Sequence, residues 1–184
     1  MNILIALNTP IVILITVLLI SAIIDFKIQR IPNALTLPSI LTALVYHSII
    51  NGTSGFTFSI IGVSVGIGLL IAPYLMGGMG AGDAKLMGVV GAFVGAKGVF
   101  ISFLFTAIAG GLYALLVLLI KRRYFDGFLR DKFEMVKSFI LTRQYIPNGQ
   151  SKSVERPRLC YGLAIALGSI TYIILDLTGY QLPI

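Results

Sequence analysis

The sequence predicts an all-α, polytopic membrane protein with six transmembrane helices and a cytoplasmic amphipathic helix between the fifth and sixth. Three observations predict it. Of 184 residues, 57% are hydrophobic and only 11% are charged, against roughly 25% charged in soluble domains. Several charge-free runs of about 17–22 residues have the length a helix needs to cross a bilayer. Ten of the fourteen Lys and Arg fall within residues 121–158, as in a cytoplasmic loop. The composition excludes a soluble enzyme, a disordered tail, a coiled coil and a nucleic-acid module. The net charge of +7 is therefore assigned to membrane topology, and no nucleic-acid partner is expected.

Five segments are long enough to span: 3–24, 34–50, 56–75, 99–120 and 159–177. The first has no basic residue ahead of its apolar run and no small-x-small cleavage site, so it is expected to be a retained span. A sixth segment, 86–96, is apolar but gives only about 16 Å of helix. The positive-inside rule decides whether it crosses. With six spans, Lys27, Arg30, Lys85 and the ten basic residues of 121–158 share one side, and only Lys97 lies opposite. With five spans this asymmetry collapses. Six spans are therefore expected, with both termini outside and the basic loop in the cytoplasm. The fourth span is expected to be extended by residues 77–85 or by residues around Lys97.

Within 121–158, Phe125, Phe128, Leu129, Phe133, Val136 and Ile140 recur near helical spacing among Arg130, Lys132, Lys137 and Arg143. Two readings stand: an amphipathic helix on an anionic leaflet or a solvated cytoplasmic helix. Gly62 and Gly66, and Gly91 and Gly95, form GxxxG pairs, and Gly110–Gly111 lie in the fifth span. Such residues let membrane helices approach closely and argue for a compact bundle. The single Cys160 can form neither an internal disulfide nor a cysteine zinc site. His47, alone of its kind, reads as a packed or interfacial side chain. No metal site and no cofactor are expected.

Four of the seven acids lie in the basic loop, and Asp176 falls near the outer end of the last span. Asp25 and Asp83 remain, each at the cytoplasmic end of its predicted helix. Ionisable groups at this boundary are costly and tend to be functional. Two readings stand here as well. The acids are plain helix-end charges paired with Lys27 or Arg30 and with Lys85, or they form a dyad. Within hydrogen-bonding reach they would share one proton. The ionised member could activate water and the protonated member could polarise a peptide carbonyl. Asp25 lies at a helix C-terminus and Asp83 near a helix N-terminus. The macrodipole therefore predicts that Asp25 holds the shared proton more often.

Gly80-Ala81-Gly82-Asp83 resembles the GxGD motif of intramembrane aspartic proteases. Asp25-Phe26-Lys27-Ile28-Gln29-Arg30-Ile31-Pro32-Asn33 resembles the D-x-(K/R)-x-x-x-I-P-N stretch of type IV prepilin and preflagellin peptidases. Tyr161-Gly162-Leu163-Ala164-Ile165-Ala166 is similar to that family's entry into its last span, with Cys160 where a proline often stands. The resemblance covers residues 10–120 and, loosely, the last span. It implies one transmembrane peptidase domain over 1–184 that cuts prepilin-like leaders at the cytoplasmic face, with Asp25 and Asp83 as catalytic pair. Pro32 and Asn33 would shape the loop after the first span. Gly80 and Gly82 would let the backbone bend toward the site, and Lys85 completes the supporting motif. The implied partners are membrane lipids and prepilin-like or archaellin-like substrates with a basic leader and an apolar helix. Without the paired CxxC motifs of bifunctional members, the chain resembles the peptidase-only subgroup, and no N-methyltransferase activity is expected. The long basic loop departs from the shortest members.

Two other classes compete. Presenilin-like proteases carry a Tyr before the first Asp, where Ile24 stands here. A small transporter or secretion-system assembly protein is the non-enzymatic alternative. A transporter is expected to place charge near the midplane, whereas these spans are charge-free at their centres.

Overall fold

The structure is a computed structural model and describes residues 2–76, 78–120 and 160–179. The basic stretch 121–158, with its expected amphipathic helix, lies outside the described residues. Among the described residues all regular structure is helical: α1 (Asn2–Ile28), α2 (Asn33–Leu75), α3 (Ala81–Ile120) and α4 (Tyr161–Leu177). An apolar environment offers the backbone no partners, so a spanning chain must satisfy its own N–H and C=O groups, and helices do so locally. Thr9–Ile28, Asn33–Leu75 and Ala81–Val117 are long and apolar enough to cross a membrane, and α4 is a shorter apolar helix.

Among the described residues, those up to Gly110 and from Cys160 onward form a first compact unit, and residues 111–120 belong to a second. All that follows concerns the first. In it α1 packs along α4 and, more sparsely, against α2. Leu14, Leu18, Leu70, Leu86, Met87, Val90 and Ile165 are buried in one apolar core.

Neither α2 nor α3 is straight. Gly52 breaks α2 at φ 59, ψ −137, and Gly95 breaks α3 at φ 75, ψ −179. Both are conformations that glycine reaches without a Cβ penalty. The His47 and Phe58 rings lie 5.1 Å apart, although an unbroken helix would separate these residues by about 16 Å. The chain therefore doubles back at Gly52. It does so again at Gly95. A Cβ on Gly110 would stand 4.0 Å from Tyr161 Cε1, and Tyr161 also feels the charge of Asp83. A continuous helix would hold positions 83 and 110 about 40 Å apart. The fourth helical segment thus runs 81–94: it is extended on its 77–85 side and ends short of Lys97.

Segments 53–75 and 81–94 run antiparallel and in close contact. A Cβ on Gly62 would fall on the Gly91 carbonyl, one on Gly91 would fall on the Gly62 carbonyl, and Gly66 faces the Met87 carbonyl. The break at Gly95 also frees carbonyls in the turn before it, and α2 supplies donors. Ser59 Oγ donates to the Ala92 carbonyl at 2.9 Å. His47 Nε2 donates to the Phe93 carbonyl at 3.2 Å, which fixes the ring's tautomer. His47 is therefore a packed, hydrogen-bonded side chain.

Gly62→Ala is expected to destabilise the protein by about 1–3 kcal/mol, because backbone has to move to admit the methyl group. At Gly68 nothing lies within 4 Å of a built Cβ, so Gly68→Ala is expected to be neutral or to stabilise by up to about 1 kcal/mol through helix propensity. Denaturant unfolding in detergent measures both, and equal effects at the two positions would refute the close approach.

Candidate active site

Asp25 lies in the last full turn of α1. The helix ends at Gln29, whose N–H donates to the Asp25 carbonyl at 2.8 Å. Gln29 adopts φ 54, the left-handed stop more often given to glycine. Pro32 then sets an extended entry into α2, at φ −72, ψ 142, and its carbonyl accepts from Leu35 N at 3.1 Å. Asn33 is the first residue of α2.

Asp83 lies in the first turn of α3. Its Oδ2 accepts from the Gly80 amide at 3.0 Å, while its own amide donates to the Gly80 carbonyl at 3.1 Å. The carboxylate supplies the N3 half of a capping box, while a backbone carbonyl replaces the side chain that glycine lacks. Gly82 lies hard against the connection from α1 to α2: a Cβ there would stand 3.0 Å from Ile31 Cβ.

Asp25 is held from a third direction. Its Oδ2 accepts from the Gly162 amide at 2.9 Å, across 137 residues of chain. Gly162 is the second residue of α4, and Cys160 before that helix makes no side-chain capping bond. Asp25 therefore caps α4 from another helix. Only glycine permits this approach, since a Cβ at 162 would stand 2.9 Å from the same carboxylate oxygen.

Both acids are buried, Asp25 at 5% exposure and Asp83 at 8%. They lie at one end of the bundle: Asp83 follows Gly82, which packs on Ile31, six residues beyond Asp25. Each has Oδ2 bound to a backbone amide, which leaves Oδ1 for chemistry. The lysine that the helix-end reading pairs with Asp83 reaches elsewhere: Lys85 Nζ donates to Asn33 Oδ1 at 2.7 Å. Among the described residues no group of three or more His, Cys, Asp and Glu could hold a metal ion.

The structure thus brings Asp25, Asp83 and Gly80 together, with Pro32, Asn33, Gly82 and Lys85 around them. It adds Gly162, and Tyr161 beside it. The premise for placing the shared proton on Asp25 changes. That expectation counted only α1, whose C-terminus disfavours a negative charge. The N-terminus of α4 supplies the opposite field, so the two helix ends oppose each other at Asp25, while Asp83 has the field of one helix N-terminus alone.

A profile of the type IV leader peptidase family matches residues 12–115. The chain belongs to the type IV leader peptidase family. It is similar to a prepilin leader peptidase/N-methyltransferase of Bacillus subtilis (strain 168), with 32% identity over 106 residues. That match covers 56% of this chain and 42% of the relative, so the chain spans less than half of the relative's length in common. No solved structure matches. Both aspartates, Gly80 and the Asn33–Lys85 pair lie inside the family match, whereas Gly162 lies beyond it.

The cap that Asp25 places on α4 is separable from its charge. Asp25→Asn keeps an oxygen acceptor for the Gly162 amide, and Asp25→Ala removes it. The Ala variant is expected to be less stable than the Asn variant by about 1 kcal/mol, the usual value of a cap. Equal unfolding midpoints for the two would show that the bond to α4 carries no stability.

Proposed function

We propose that this protein is a membrane-embedded aspartic endopeptidase that cleaves the leader of type IV prepilin-like or archaellin-like proteins at the cytoplasmic face. Asp25 and Asp83 are its catalytic pair. The observation that carries this reading is the convergence of two buried carboxyl groups at one end of three helices, in a chain of the leader peptidase family.

Two neighbouring buried acids cannot both ionise at low cost, so the pair holds one proton. The ionised member takes a proton from water as the water oxygen bonds to the scissile carbonyl carbon. The protonated member donates to the carbonyl oxygen and stabilises the charge that develops there. Collapse of the tetrahedral intermediate breaks the C–N bond, and the leaving nitrogen takes a proton from the dyad. The step needs no nucleophilic side chain and no cofactor.

The membrane arrangement proposed with it has six crossings. The reversals at Gly52 and Gly95 divide α2 and α3 into four segments, which join α1 and α4. Both termini then lie outside. The basic stretch 121–158 lies in the cytoplasm with the two acids, against lipid headgroups. Substrate leaders are basic, as is this chain at +7, so net charge does not draw them in. The apolar helix of the substrate is expected to supply the affinity. The activity proposed for these residues is the peptidase step alone, without N-methylation. No finding favours a transporter or an assembly scaffold.

The test is cleavage of a purified prepilin-like substrate by the full chain in liposomes. Asp25→Asn and Asp83→Asn are each expected to reduce kcat by at least about 10³-fold while the protein stays folded, as losses of a catalytic unit do. Cleavage retained by either folded variant would refute the dyad.

A further inference from the structure

Two contacts tie the α1–α2 connection to the first turns of α3. The first is the approach of Gly82 to Ile31, where a Cβ would stand 3.2 Å from the Ile31 carbonyl oxygen. The second, three residues on, is the 2.7 Å hydrogen bond from Lys85 Nζ to Asn33 Oδ1. The connection itself is stiff. Gln29 closes α1 at φ 54 and bonds to the Asp25 carbonyl. Pro32 has φ fixed by its ring and holds Ile31 extended, and Ile31 is buried. Asp25 therefore stands at one end of a rigid link and Asn33 at the other. On the α3 side, Asp83 and Lys85 share one helical turn.

We propose that the Asn33–Lys85 hydrogen bond is a positioning clamp that sets the separation of the Asp25 and Asp83 carboxyl groups. The proposal rests on the two-aspartate reading above and assigns a task to two residues that need not touch the substrate. The Ile31–Gly82 contact alone is a pivot. It fixes how closely α3 approaches, and the Gly62–Gly91 and Gly66–Met87 contacts hold the helix further along, but none of these sets the rotation of its first turn. A rotation of 10–20° would carry a carboxyl group some way from that axis by about 1–2 Å. A directional bond three residues along the helix removes that freedom. The partner chemistry supports an anchoring role over a countercharge role. Lys85 is bound to a neutral amide oxygen, while Oδ2 of both acids is already taken by backbone amides.

The same liposome assay, with rates expressed per folded enzyme, tests this. Lys85→Met and Asn33→Leu are each expected to lower kcat by about 10- to 100-fold, the scale of an ångström misplacement, with KM changed by less than about threefold. The double variant is expected to be no slower than the slower single variant, because both remove one bond. Asn33→Asp keeps the acceptor and is expected to bring kcat back to within about threefold of the unaltered protein. Defects that multiply in the double variant overturn the clamp in favour of independent roles. A change confined to KM overturns it in favour of substrate contact. If Lys85→Met does not fold, the exposed Asn33 carries the comparison through its Leu and Asp variants. Asp25→Asn and Asp83→Asn in parallel separate the two failures. Cleavage surviving in either sinks the two-aspartate reading, whereas cleavage lost in both with Asn33→Leu at full speed sinks the clamp alone.

Discussion

A helix N-terminus exposes amides that have no acceptor within the helix, and inside an apolar bundle each must find one. At α3 and α4 that acceptor is a carboxylate: Asp83 takes the Gly80 amide and Asp25 takes the Gly162 amide. The rest of the site follows from this requirement. It fixes one oxygen of each acid and directs both groups to the same end of the bundle. It also places each within the favourable field of a helix start. The bonds that hold the helix ends therefore also orient both carboxyl groups, so under the proposed function little reorganisation is left to the moment of reaction.

This arrangement depends on reversals far from the acids. Were α3 continuous, Asp83 would lie at one end of a helix about 60 Å long, and the portion that meets Tyr161 would lie far from it. The turn at Gly95 returns the chain beside Asp83. It is stabilised by α2, through Ser59 and His47 on the carbonyls that the turn frees. His47 and Phe58 in turn straddle the reversal at Gly52. The two turns are thus coupled through one side chain, and the packing of small residues between 53–75 and 81–94 fills the space between them.

Asp25 and Asp83 were legible in the sequence because charge stands out against apolar helices, and the motifs around them marked helix ends. The pairing of Lys85 was not. Opposite charge suggested Asp83, two residues away, but positions i and i+2 on a helix do not face each other, and Lys85 turns to Asn33 instead. The tie from Asp25 to Gly162 was hidden for another reason: its donor is a backbone amide, which has no signature of its own. A signal did exist in Cys160. A helix that starts after a residue with no capping bond needs its acceptor from elsewhere, and an acid predicted at the same membrane face is the natural source. The extent of the fourth helix turned on which of several glycines takes a positive φ, and composition does not rank them.

Under the proposed function, the length of that fourth segment bears on where the chemistry takes place. Residues 81–94 give about 21 Å of helix, some 9 Å short of a typical hydrocarbon core of about 30 Å. On the six-crossing reading, a turn at Gly95 near the outer boundary leaves the N-terminus of α3, with Asp83, below the level of the inner headgroups, or draws the bilayer thinner around it. Either way the acids are shielded from bulk water, in keeping with their burial. A scissile bond at the junction of a basic leader and an apolar helix lies at that same depth when the helix is inserted and the leader stays among the headgroups. Substrate and site then meet through their shared position in the membrane. Under the proposed function, that shared depth accounts for recognition despite the positive charge of both.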